Sequence, residues 1–195
     1  MHPSVDTAHS PRPLRADAQR NRARILEAAQ VEFAENGGEA QIDAIAARAG
    51  VGVGTFYRHF PTKEALVERL VRERFEAMAD DASAALEIED PWAAFAGLMY
   101  ACGERCEQDA GTQHLFLVVG PDAAERLAVE TGLHGRSQKL IDRGVASGAV
   151  RADFRAEEIG MLMCGLSSTM GSQKASWDWR RHLEIVLDGL RARPA

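Results

Sequence analysis

Thr55, Tyr57, Arg58, His59 and Lys63 bring a hydroxyl, a phenol, a guanidinium, an imidazole and an ammonium close together in the run QIDAIAARAGVGVGTFYRHFPTK, Gln41 to Lys63. Groups of these types hydrogen-bond phosphate oxygens and base edges, so the chemistry they point to is recognition of a nucleic-acid groove. A pattern of short helices has to present them. Ile42, Ile45, Ala46 and Ala49 recur at i, i+3, i+4 and i+7, one face of a helix of about two turns. Gly50 ends it, because the residue after a helix commonly takes a positive φ that glycine adopts at little cost, and Val51 follows as an apolar anchor. A second helix is expected from Val53 to His59, with Phe56 and Phe60 inward and the polar side chains shared between its flanks and outer face. A helix, a glycine-containing turn and a second helix make the helix-turn-helix pattern, whose second helix enters the major groove. Beyond it Thr62 is a good N-cap and Glu64 suits the positive end of a helix dipole, while Lys63 opposes that dipole. A phosphate would remove the conflict, which makes Lys63 a candidate clamp on the DNA backbone.

The run IAARAGVGVGTFYRHFPTKEAL resembles the DNA-binding signature of TetR-family transcriptional regulators, through Ile45, Ala46, Ala49, Gly50, Val51, Gly54, Thr55, Tyr57, His59, Phe60, Lys63, Glu64 and Leu66. With the preceding helix the resemblance spans roughly residues 22–71. It implies DNA contacts from Arg22, Gln41, Gly52, Val53, Thr55, Tyr57, Arg58, His59 and Lys63. Three positions depart from the pattern. Gln41 replaces the usual Thr or Ser cap, and Gly52 and Val53 replace a polar pair at the start of the recognition helix. Gly52 still serves as an N-cap, whereas Val53 can touch a thymine methyl but cannot hydrogen-bond a base. A phosphate-cradling loop at Gly50, Gly52 and Gly54 is excluded, since the G-x-G-x-x-G spacing fails at Thr55 and no strand precedes it.

A net charge of −6 is unexpected for a DNA binder, but the charge is polarised. Five arginines (12, 15, 20, 22 and 24) stand against Asp17 near the N-terminus, whereas 76–130 holds twelve acidic residues against Arg105 and Arg126. A basic end and an acidic body orient a molecule on a polyanion, with the body's repulsion screened over about a Debye length. The 195 residues, 46% hydrophobic and 27% charged, are enough for a substantial core. No apolar run approaches the roughly 20 residues of a membrane span, and three cysteines form no disulfide framework. A cytoplasmic location without membrane partners is the expectation, with no cofactor and no metal.

The fold class expected is all-α: an N-terminal three-helix helix-turn-helix head and a C-terminal helical ligand-binding and dimerisation domain. Residues 1–16, with three prolines, read as a disordered tail, 17–61 as the head, 62–86 as a connecting helix and 87–195 as the body. Helices are predicted over 17–35, 92–109, 113–119, 122–131, 136–147, 156–170 and 177–191 in addition to those of the motif. The last two bear Ile159, Met163, Leu166 and Met170, then Leu183, Val186, Leu187 and Leu190, and these faces are expected to pair with a second copy. The resemblance implies the same, a four-helix dimer over roughly 155–191. A homodimer would set two recognition helices about one turn apart on a palindromic operator.

The resemblance also implies a pocket for a small-molecule effector. Phe95, Met99, Cys102 and Cys106 recur on one side of the fifth helix, with Phe116 to close it and Tyr100, Gln113 and His114 as polar members. Plain core would give the same stripe. Cys102 and Cys106 with His114 also leave open a thiol- or metal-dependent helical enzyme, and the three altered head positions leave open a ligand-binding or dimerisation protein without specific DNA binding.

Overall fold

In a computed structural model, residues 12–108, 113–170 and 178–192 are described, apart from the side chains of 12–15, 113, 114 and 117. The described residues form ten α-helices and one 3-10 turn, with a single isolated β-bridge between Val150 and Arg191. Helix α1 runs Arg12–Asn36, α2 Ile42–Arg48, α3 Val53–His59 and α4 Lys63–Leu86; the 3-10 turn Gly37–Glu39 joins α1 to α2. The body comprises α5 (Pro91–Gln108), α6 (Gln113–Val119), α7 (Pro121–Glu130), α8 (Leu133–Ala146), α9 (Glu157–Met170) and α10 (Trp179–Leu190).

The first helix starts five residues before the expected Asp17, so 12–16 are helical where a disordered tail was expected; residues 1–11 lie outside the described set. Pro13 falls in the first turn, where a missing N–H breaks no helical hydrogen bond and a fixed φ already suits the helix. Pro91 sits likewise at the start of α5, and the preceding Asp90 caps it, its Oδ1 accepting from the backbone N–H of Trp92 (2.8 Å) and Ala93 (3.0 Å). The start expected for the last helix, Trp177, is outside the described residues.

Helix α4 passes through the middle of the molecule. It packs on α1 in the head and on α5, α6, α7 and α8 in the body. Its buried residues Leu66, Val67, Leu70, Val71, Phe75, Met78, Ala79, Ala82 and Ala85 make an unusually broad apolar face. Each large side chain here is worth about 1.5–3 kcal/mol by removal from water. Two ion pairs tie the same helix to α7, Arg72 to Glu130 and Arg126 to Glu68, each at 2.5 Å. Helix α6 packs both on α4 and on the 3-10 turn, so the body touches the head directly.

The far end of the body is closed by aromatic and glycine contacts. Phe95 meets Trp92 (6.0 Å between centroids) and, edge-on, Phe154 (5.8 Å), while the Arg191 guanidinium lies 3.9 Å from the Trp92 ring centroid. At the junction of α5 and α10, Gly103 lets the Trp179 ring close on the helix, and Trp179 Nε1 donates to Glu107 (2.9 Å). A Cβ at 103 would stand 2.3 Å from a Trp179 ring carbon. Gly103→Ala is therefore expected to cost about 1–3 kcal/mol by overpacking, read as a lower midpoint in thermal unfolding followed by circular dichroism. An unchanged midpoint would mean that Trp179 moves away without loss.

Candidate nucleic-acid interface

The turn between α2 and α3 is a Schellman motif. The Gly50 N–H bonds the Ala47 carbonyl and the Val51 N–H the Ala46 carbonyl, both at 3.0 Å, and Gly50 has φ +63°. Phe56 is fully buried and Phe60 nearly so, which turns the rest of α3 outward. Val53 (39% exposed), Tyr57 (46%) and Arg58 are on the surface, Thr55 and His59 are half-buried, and Gly52 caps the helix start with its carbonyl. The Tyr57 ring stands edge-on to Phe56 at 5.5 Å, which holds the phenol outward.

Helix α1 braces this pair. Glu32, only 6% exposed, accepts from Arg48 Nε (2.7 Å) on one oxygen and from Asn36 Nδ2 (3.0 Å) on the other. Arg48 also reaches Glu35 at 2.6 Å, and the Glu32 hydrogen bond is the leading cause that raises its pKa above the ordinary arginine value. Arg22 lies over the Phe60 ring at 5.2 Å, and Arg24 extends against Gly50. Glu32 and Arg48 were not expected from the sequence. Glu32 and Arg48 are sixteen residues apart, and no periodicity links them before α1 and α2 pack.

Two expected residues have partners of their own. Gln41 occupies the N-cap position of α2 but makes no side-chain cap; its Nε2 donates back to the Glu39 carbonyl at 2.8 Å. Lys63 opposes the α4 dipole as expected, yet its ammonium is engaged without any phosphate: Nζ donates to the Gly38 carbonyl at 2.8 Å and lies 5.6 Å from the Phe33 ring. The Thr62 side chain caps α4 by accepting from Ala65 N–H (3.1 Å), and the Glu64 carboxyl is held below its ordinary pKa by its own backbone N–H first and the Thr62 hydroxyl second.

In the body, the residues expected around a pocket divide. Phe95, Met99, Cys102 and Cys106 are buried core. Phe116 stacks on Phe75 (5.6 Å), with the buried Arg74 guanidinium over it (5.4 Å) and donating to Cys106 Sγ (3.1 Å). Tyr100 does not join them. It lies on the far side of α5, half-buried, where burial and then the charges of Glu184 and Asp188 on α10 raise its pKa. Gln113 and His114 belong to α6, but their side chains lie outside the described set. Burial pushes the Cys102 thiol up to about 12, which leaves it protonated and unsuited to thiolate chemistry.

Five of the eight residues expected on the dimer face are taken into the core of their own chain. Met163, Leu166, Leu183, Leu187 and Leu190 are at most 9% exposed inside their own chain, and Ile159, Met170 and Val186 are half-buried against that core. The reason is that α9 and α10 pack on each other and both pack on α5, which consumes the broader apolar face of each. The opposite side of α9 remains open and carries Gly160, Met161, Cys164, Gly165 and Ser168; α10 adds Ile185 and Gly189. Met161 is 66% exposed and Ile185 58%.

An all-helical chain with this N-terminal motif and a separate helical body has the architecture of a DNA-binding transcriptional regulator. Family comparison agrees at both ends: residues 25–70 match the bacterial regulatory proteins of the TetR family, and residues 90–192 match the C-terminal domain of SbtR-like transcriptional regulators. The HTH-type transcriptional repressor KstR2 of Mycolicibacterium smegmatis is 31% identical over 151 residues, 68% of this chain and 69% of that one. The HTH-type transcriptional repressor KstR of the same organism is 47% identical over 77 residues, 37% of this chain and 38% of its own. The crystal structure of the TetR transcription regulatory protein from Mycobacterium vanbaalenii superposes with a TM-score of 0.58 at 35% identity, over 92% of this chain and 99% of that one. The chain belongs to the TetR family of transcriptional regulators.

The backbone at Gly50 lies in the left-handed region. Gly50→Ala must place a Cβ in the left-handed region and 2.3 Å from an Arg24 nitrogen, so it is expected to destabilise by about 1–2 kcal/mol. Gly54→Ala, inside α3 with nothing within 4 Å, should instead stabilise by about 0.5–1 kcal/mol. Chemical denaturation of the two variants beside wild type checks the opposite signs.

Proposed function

We propose that this regulator is a repressor that binds a palindromic operator as a homodimer and leaves it when a small-molecule effector occupies the body. The observation that carries the DNA half is the outward face of α3, held at a fixed angle by the Gly50 turn and the Glu32–Arg48 brace. Residues 17–61 act as the reading head, 62–86 as the connector and 87–195 as the body. Tyr57, Arg58 and Val53 face the groove, Thr55 and His59 flank it, and Gln41, Gly52 and Arg22 lie along its edges. Lys63 uses one of three ammonium donors on Gly38, which leaves two for a backbone phosphate.

The effector reading rests on the cluster of Arg74, Phe75, Cys106 and Phe116, where α4, α5 and α6 meet. A ligand inserted there has to displace Phe116 and hence α6, and α6 bears on the 3-10 turn that Lys63 also holds. Binding to a state with shifted heads weakens DNA affinity by the difference in affinity for the two states. The names of the KstR and KstR2 relatives support the sign of regulation, repression. The partner surface for the second copy is the open side of α9 and α10, where Gly160, Gly165 and Gly189 leave the backbone bare around Met161 and Ile185.

Fluorescence anisotropy on duplex DNA from the region beside the protein's own gene, at two salt concentrations, tests the DNA reading. Wild type is expected to prefer one palindrome, and Lys63→Ala to bind more weakly with a salt slope shallower by about 1 per chain contacting DNA. Equal affinity for every segment would defeat it. Gly165→Arg, at an open position on α9, is expected to yield a folded monomer in light scattering; a retained dimer would move the interface elsewhere.

A further inference from the structure

The leading turn of α3 offers no side-chain hydrogen-bonding group. Gly52 is bare, Val53 is 39% exposed, and Gly54 is bare again; the first polar side chain is the half-buried Thr55. The leading turn of α3 is therefore apolar in its side chains, and the exposed donors Tyr57 and Arg58 come only after it. Gly54 has no reason inside the chain to be glycine: its φ is not positive, and an added Cβ would meet nothing within 4 Å. A helical glycine at an open site is less stable than alanine, and what it permits is close approach of another molecule.

We propose that Val53 is a specificity-determining residue whose methyl groups read the 5-methyl group of a thymine in the major groove, at the close approach that Gly54 permits. The inference rests on the DNA-binding reading above and deepens it. Each base edge in the major groove carries donors or acceptors, and the thymine methyl is the apolar substituent among them. A valine pressed against an amino or carbonyl edge would strip water from it without replacing the hydrogen bond, so other bases at that position are disfavoured. Arg58, four residues after Gly54, supplies the guanidinium that suits a neighbouring guanine.

The test starts from duplexes selected by the full-length protein out of a random library. Each thymine of the enriched half-site is then replaced by deoxyuridine, which removes the methyl group alone, and affinity is measured for wild type, Val53→Ala, Val53→Thr and Tyr57→Phe. Wild type should lose about fourfold at one thymine per half-site, the equivalent of one buried methyl. The loss should vanish in Val53→Ala, persist in part in Val53→Thr and persist fully in Tyr57→Phe. Insensitivity of wild type to every replacement overturns the assignment, as does the same loss in Val53→Ala, which would give the methyl contact to another residue. A selection that enriches no sequence would instead overturn the DNA-binding reading, and this assignment with it.

Discussion

Helix α4 has to complete two cores with one face. Leu66, Val67 and Leu70 are buried in its first turns and Phe75, Met78 and Ala82 in its later ones, while the helix packs on α1 of the head and on α5 to α8 of the body. A helix of 24 residues is a stiff rod about 36 Å long, so a displacement at its body end appears at the head. The remaining helices are arranged around this constraint. Helices α5 to α8 pack along it, α7 reaching as near the head as Glu68, and α1 meets it at the head end.

The head is rigid by a different means. Its helices α2 and α3 have seven residues each, too few to be stable alone in water, so they depend on packing, α2 on α1 and α3 on α2. Ile25, Ala29 and Phe33 supply the apolar floor, while Glu32 adds a buried carboxylate with both oxygens satisfied. Losing one partner of such a group costs more than the bond contributes, because the other is left buried without a partner. That asymmetry makes the brace directional and fixes the angle at which α3 is presented.

Contact between head and body runs through α6 and through the ion pairs of α7 with α4. The two arginine–glutamate pairs are partly exposed, and exposed pairs contribute little to stability. Their consequence is geometric: they set the register of α7 on α4 close to the head. The Arg74–Phe116 contact, buried in the same region, is where polar and apolar chemistry meet in the body.

By itself the sequence determined the all-helical class, the reading motif with its glycine turn, the turning of Tyr57 and Arg58 away from the inward Phe56 and Phe60, and the Thr62 cap of α4. These follow from short-range rules, i to i+4 periodicity and the φ demanded after a helix, which act before any tertiary contact forms. Tertiary structure decided everything that depends on which face meets which neighbour. Leu166 and Leu187 went to the monomer core because α9 and α10 each bury their broader apolar stripe on the other and on α5, leaving Met161, Gly165 and Ile185 outside. Tyr100 was separated from Phe95 for the same reason, and Lys63 found the Gly38 carbonyl, 25 residues back in the chain. A periodic stripe says that a face is buried but not by what. That choice belongs to long-range packing, where the free energy of burial does not distinguish a neighbouring helix from a second chain.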